Sequence, residues 1–186
     1  MSAAGRITQS NTENPDRSPF TGLAALVAAT TMLLAALTSA YIVRRGLAGD
    51  WTPVQLPPIF LASVLLFILS SLAIEISRRR FKIHRAFAGM WFSGVALGGI
   101  FVLTQAYAWK QISTPAGSPA AAFFYVLTGT FVAFVTGAIV ALIWSGVRAR
   151  RGNREISFTR LSITALYWHY LDGLWLYLVI LLYLRS

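Results

Sequence analysis

The sequence predicts an all-α integral membrane bundle of five transmembrane helices. The first observation behind this is composition. Hydrophobic residues make up 56% of 186 positions and charged residues only 12%, about half the quarter usual in globular chains, and the mean hydropathy is +0.64. The second is spacing: five apolar runs occur, each long enough to cross a hydrocarbon core of about 30 Å with roughly 20 residues. The third is the placement of charge. The net charge is +10, but the basic residues sit at the ends of the apolar runs, where topology determinants lie. No soluble basic face is present, which argues against a nucleic-acid partner.

The first helix is expected from about Gly22 to Val43, stopped by Arg44 and Arg45. In the loop Gly46 to Pro58, Trp51 reads as an interfacial anchor, because indoles favour the headgroup region. Pro57 and Pro58 open the second helix, where a missing amide donor does no harm. That helix reaches about Ile76 and meets Arg78, Arg79, Arg80 and Lys82. The third covers roughly Phe87 to Trp109 and ends at Lys110. Pro115, Gly117 and Pro119 give the next loop its turn chemistry. The fourth spans about Ala121 to Val147, closed by the basic run Arg148 to Arg154, and the fifth runs from about Leu161 to Leu184.

Two regions follow: a polar N-terminal tail over residues 1–20, without a cleavable signal peptide, and a membrane domain over residues 21–186. An odd number of spans puts the termini on opposite sides. The tail and the loops after the second and fourth helices carry 12 basic residues, against 4 on the other side. The positive-inside rule then predicts a cytoplasmic N-terminus and a periplasmic C-terminus. Cysteine is absent, which removes disulfides, thiolate metal sites and cysteine nucleophiles. No internal repeat supports an inverted-repeat transporter. No nucleophile motif, phosphate loop or metalloprotease signature occurs either.

Polar residues inside the apolar runs are the candidates for function. Asp172 stands near the middle of the fifth run. A carboxylate there costs on the order of 3 kcal/mol, so it is expected to face protein or water and to have a partner. His169, three residues upstream, shares its face and is the expected partner. Trp168 and Trp175 form a neighbouring stripe on the same helix. Glu75, with Arg78 and Arg79 at i+3 and i+4, reads as an ion pair at the helix end. The sharper alternative is a cytoplasm-facing carboxylate for a partner's basic group. Gln105, Thr128, Thr130 and Thr136, with Ser70 and Ser71, are expected to hydrogen-bond between helices. Gly129, Ala133 and Gly137 set small residues at four-residue steps, a pattern that permits close helix approach. His84 lies among basic loop residues and reads as solvated. A lone intramembrane histidine, His169, suits neither a haem, which often takes a pair of axial ligands, nor a clustered metal site.

A family pattern runs through these residues. Tyr167-Trp168-His169-Tyr170-Leu171-Asp172, followed by Leu174-Trp175-Leu176, resembles the closing helix of subunit III of the haem-copper oxidases, W-H-aromatic-x-D-x-x-W. Leu37 to Arg45 is similar to the end of the first helix in the short, five-span form of that subunit. Leu56-Pro57-Pro58, Leu69-Ser70-Ser71 and Glu75 look like the second helix, and Gly99, Phe101-Val102, Gln105 and Trp109 like the third. Thr128-Gly129-Thr130 opens the fourth-helix motif, so the resemblance covers about residues 20 to 184. Departures accompany it. Thr30 stands where the family often has Glu, Ala108 where it often has Glu before the closing Trp, and Phe131 and Phe134 replace both histidines of T-G-x-H-x-x-H.

The resemblance implies an accessory, cofactor-free subunit that packs against the catalytic subunit I and other respiratory-complex subunits in a bacterial inner membrane. Phospholipid would be bound, haem and copper would lie in the catalytic subunit, and the role would be support of assembly and proton uptake. His169 and Asp172, with Trp168, Trp175, Glu75 and Gln105, would be structural or interface residues. An accessory subunit of a nitric oxide reductase on the same frame is the alternative, and a small proton-coupled transporter using Asp172 is a third reading.

Overall fold

A computed structural model of the chain describes residues 18–47, 49, 54, 56–83, 87–112, 118–151 and 154–185. Residues 1–17 of the polar tail, Trp51, His84, Pro115 and Gly117 lie outside the described residues. Five helices account for nearly all of the described chain: α1 (Ser18–Leu47), α2 (Ile59–Ile83), α3 (Ala88–Lys110), α4 (Pro119–Arg151) and α5 (Arg154–Arg185). No strand occurs among the described residues, and each helix is long and apolar enough to cross a membrane.

The helices outrun the apolar segments at their charged ends. α2 continues past Arg78, Arg79 and Arg80 to Ile83, and α4 continues past Arg148 to Arg151. Arginine is a good helix former, and cations at a helix C-terminus complement the backbone dipole. A basic run therefore marks where the helix leaves the hydrocarbon, not where it unwinds. α5 starts at Arg154 rather than Leu161, because its first turns still have something to pack on. Phe158 stacks on Phe81 of α2 with ring centroids 6.4 Å apart, and Ser157 is buried.

Helix starts follow local chemistry. Pro57 and Pro58 precede α2, and their carbonyls accept from Phe60 N and Leu61 N at 3.0 and 3.1 Å. Ser118 caps α4: its Oγ accepts from Ala121 N at 3.2 Å and its carbonyl from Ala122 N at 3.1 Å. Pro119 in the first helical position needs no donor.

α2, α3, α4 and α5 close into a ring in which each helix touches the next, and α1 lies outside it against α4 and α5. In lipid, apolar contact alone gives little drive for association, so close approach and interhelical hydrogen bonds carry it. Both are present. Between α2 and α3, Ser70 donates to Gly94 O and Ser77 to Phe87 O, each at 2.7 Å. A Cβ on Gly94 would sit 2.7 Å from Ile74 Cγ1 and 3.1 Å from Ser70 O. Between α3 and α4, Trp91 Nε1 donates to Leu142 O at 2.9 Å and Trp109 Nε1 to Thr128 Oγ1 at 3.1 Å. Gly146 admits the Trp91 ring, which a Cβ would meet at 2.6 Å. Between α4 and α5, Ser145 and Thr164 share a bond of 3.2 Å. Between α5 and α2, Trp175 Nε1 donates to Ser63 Oγ at 3.2 Å. α1 is held to α5 by two threonine–tyrosine pairs, Thr30 to Tyr167 at 3.3 Å and Thr31 to Tyr170 at 2.6 Å.

Two sequence expectations change here. The Gly129 and Gly137 steps of α4 are not where the helices come closest: Gly137 has open space around it, and Gly129 meets only the Trp109 ring at 3.8 Å. The close approaches fall on Gly94, Gly98 and Gly146, each facing a bulky side chain of a neighbour. Thr136 bonds to Val132 O in its own helix at 2.8 Å and links no helices.

Candidate functional site at the α2/α5 seam

α5 presents two different faces. The inward face carries Trp168 and Trp175, both fully buried. Trp168 stands edge-on to Phe67, centroids 4.9 Å apart, and fills the space Gly98 leaves, where a Cβ would lie 2.7 Å from its ring. Trp175 stacks on Phe131 at 4.9 Å and meets Phe101 edge-on at 5.2 Å. With Phe60 at 5.6 Å from Trp175, these rings form the aromatic centre of the ring of helices. Both tryptophans are core residues that seal α5 against α2, α3 and α4.

The other face turns toward the seam with α2 and holds the ionisable groups. Glu75 takes Arg78 in a fork, Nε to Oε2 and Nη2 to Oε1, each at 2.8 Å, and accepts from Arg79 Nε at 2.8 Å. This is the i+3, i+4 ion pair expected from spacing. From α5, His169 Nε2 reaches to 3.7 Å from Glu75 Oε2, so the carboxylate joins the two helices. Asp172 lies one turn further along, half-buried, beside Ser71 of α2 and His169.

The expected His169–Asp172 pair takes a different form. The two share a face, but no hydrogen bond joins them, and the imidazole is directed at Glu75. A helix turn offsets side chains at i and i+3 along the axis, so a group on the neighbouring helix can be better placed than one on the same helix. The groups around the Asp172 carboxylate are this chain's own: the Ser71 hydroxyl of α2 and the His169 imidazole both act on it. Gln105 also departs from expectation. It is fully buried, and neither Nε2 nor Oε1 has a partner among the described residues. Thr30, Thr31, Tyr167 and Tyr170 bind α1 to α5 although spacing alone does not single them out as partners. Each lies on a separate helix from its partner, and pairing across 137 and 139 positions leaves no periodic signal.

Among the described residues no three His, Asp or Glu gather as a metal site. Glu75 is committed to two arginines and His169 to the edge of that cluster. These residues do not fit a haem or a copper ion.

A scan of known family models finds no match to the chain. Individual relatives are found across nearly its whole length. The cytochrome c oxidase subunit 3 of a Synechocystis species is 28% identical over 181 residues, covering 92% of this chain and 77% of the relative. That of Thermostichus vulcanus is 25% identical over 186 residues, covering 94% and 90%. That of Bacillus subtilis is 24% identical over 181 residues, covering 91% and 87%. Over about nine-tenths of its length the chain is similar to subunit III of the cytochrome c oxidases.

Within the subunit III frame, the structure accounts for the positions that depart from the pattern. Phe131, in the place of the first motif histidine, is fully buried and lies within 6.4 Å of Phe67, Phe101 and Trp175. An aromatic cluster occupies the place of a polar group. Thr30, in the place of the first-helix Glu, is buried and bonds Leu26 O at 2.8 Å and Tyr167. Ala108 is fully buried in α3. Replacing a linked polar set by apolar groups can be close to neutral, whereas a single survivor keeps its desolvation cost.

Proposed function

We propose that the protein is an accessory, cofactor-free subunit of a haem-copper terminal oxidase, seated beside the catalytic subunit. The observation that carries this is the match to subunit III proteins over more than nine-tenths of the chain, on a bundle of five helices each long and apolar enough to cross a membrane. The relatives bear the oxidase name, and they lend the nitric oxide reductase alternative no support. The subunit would lie in the bacterial inner membrane with its N-terminus in the cytoplasm, an orientation supported by the basic residues at the ends of α2 and α4. Its contribution would be mechanical: holding lipid and the catalytic subunit in register so that proton uptake continues through turnover. The hollow of about 160 Å³ between α1, α4 and α5, lined by Leu23, Leu26, Ala138 and Ile163, supports a place for part of an acyl chain.

The test is affinity capture of the chain from mildly solubilised native membranes, with reduced-minus-oxidised spectra of the captured complex. An a-type haem and copper in stoichiometric amount is the expected result. Haem b with non-haem iron would move the protein to a nitric oxide reductase. No haem in intact complexes would overturn the partnership and leave the transporter reading.

A further inference from the structure

No Asp, Glu, Lys, Arg or His occurs over residues 18–43 of α1, 88–109 of α3 or 119–147 of α4. The acids and the histidine of the membrane interior therefore gather at one place, the α2/α5 seam: Glu75 on α2, His169 and Asp172 on α5. With a neutral imidazole the charges there do not balance. Arg78 forks onto Glu75 at 2.8 Å, but Arg79 is 77% exposed, so water screens much of its charge. One guanidinium then faces two carboxylates, and Asp172 lies near mid-span, where unbalanced charge is costly. The groups that act on Asp172 are Ser71 of α2 and His169. A serine hydroxyl brings no charge, so a positive charge can come only from the imidazole.

His169 is placed to supply it. Its Nε2 stands 3.7 Å from Glu75 Oε2, across the seam. That separation is long for a hydrogen bond but suits an ion pair, so the link is weak with a neutral ring and stronger with a charged one. Asp172 follows at i+3 on the same face. A protonated His169 would thus have a carboxylate of its own helix and one of α2 within reach. The way in is short. The His169 side chain is 35% exposed, and Arg79, one turn beyond Glu75, marks the aqueous edge. Tyr167 and Tyr170, the other titratable groups of this stretch, turn to α1 and bond Thr30 and Thr31.

We infer that His169 is a proton-binding site that clasps α5 to α2. One proton from the aqueous edge adds to the imidazole, no other bond is made or broken, and the resulting cation is held between Glu75 and Asp172. The clasp goes beyond the accessory-subunit reading and holds whichever complex the chain joins. It makes the seam tighter in acid and looser in base.

The test is thermal unfolding of the full chain in native lipid between about pH 5 and pH 8, where an imidazole ordinarily changes charge. The clasp belongs to the protonated form, so its stabilisation is greatest at the acid end and is lost as pH rises. For a single proton the limit is about a tenfold change in the unfolding equilibrium per pH unit. His169→Gln is expected to lose this pH dependence, and His84→Gln in the loop to keep it. Glu75→Gln and Asp172→Asn, which keep shape and remove charge, should each reduce it. A pH dependence that survives in His169→Gln would overturn the inference. Nitrogen-15 spectra of the imidazole in the His84→Gln chain read the proton directly, whether or not the seam variants fold. A ring still neutral at the acid end would equally sink the clasp.

Discussion

Phe131 shows how much one side chain can reset the chemistry of a membrane interior. It stands where the subunit III motif has a histidine, and it stacks on Trp175 inside a dry aromatic cluster. We predict that Phe131→His lowers stability by about 1–3 kcal/mol, since the imidazole would be buried among rings without a partner. Thermal unfolding of the detergent-solubilised chain measures it, and an unchanged midpoint would refute the account. The glycines separate by the same reasoning. Gly98→Ala would drive a methyl against the fixed ring of Trp168, at a cost of about 1–3 kcal/mol for overpacking. Gly137→Ala, with nothing near it, should be neutral in the same assay. Equal effects at the two positions would show that the close approach seen at Gly98 carries no weight. Gly98 could not be chosen over Gly137 from spacing, because both lie in apolar helices and only the neighbour's side chain distinguishes them.

At the scale of the element, α1 differs from the other four. It stands outside the ring, and its polar links to α5 include the Thr30–Tyr167 and Thr31–Tyr170 pairs and a bond from Tyr170 Oη to Val27 O at 3.4 Å. A double-mutant cycle of Thr31→Ala with Tyr170→Phe should give a coupling of about 0.6 kcal/mol and at most about 1.7, the range found for bonds between membrane helices. Zero coupling would mean that the Thr31–Tyr170 bond adds nothing to the seating of α1. The α2 terminus makes a contrasting case. Glu75 is mostly buried while Arg79 is 77% exposed, so solvent screens much of that pair. Glu75→Gln should therefore cost less than about 1 kcal/mol, read as a small shift in the same melting experiment. Helix identities and order were legible from apolar spacing and charged ends. The extra turns of α2, α4 and α5 were not, because hydropathy marks the membrane boundary and cannot see helix continuing into water.

Across the whole molecule, the distribution of basic residues predicts a single orientation. With no native cysteine in the chain, a cysteine introduced at Ser2 should resist a membrane-impermeant thiol reagent in intact cells, and one at Ser186 should react. The opposite pattern would reverse the topology. The arrangement of helices also explains why ionisable groups collect in one place. Four helices bury their aromatic faces on one another, and the α2/α5 seam keeps Glu75, His169 and Asp172 at its edge. The candidate site was half legible. Asp172, His169 and Glu75 stood out because charge is rare in an apolar run, yet the bridge from His169 to Glu75 joins α5 to α2 and has no local signature.

By itself the sequence determined the helix count, the order of spans and the family resemblance, because each depends on hydropathy, charge at run ends and side-chain motifs along one helix. Only the tertiary structure decided which faces meet, which glycines admit a ring, that Gln105 is buried without a partner among the described residues, and that His169 of α5 reaches Glu75 of α2. Those outcomes depend on contacts between residues far apart in the chain. In a bilayer such contacts are selected by shape and hydrogen bonding, since lipid supplies no contrast in polarity to select them.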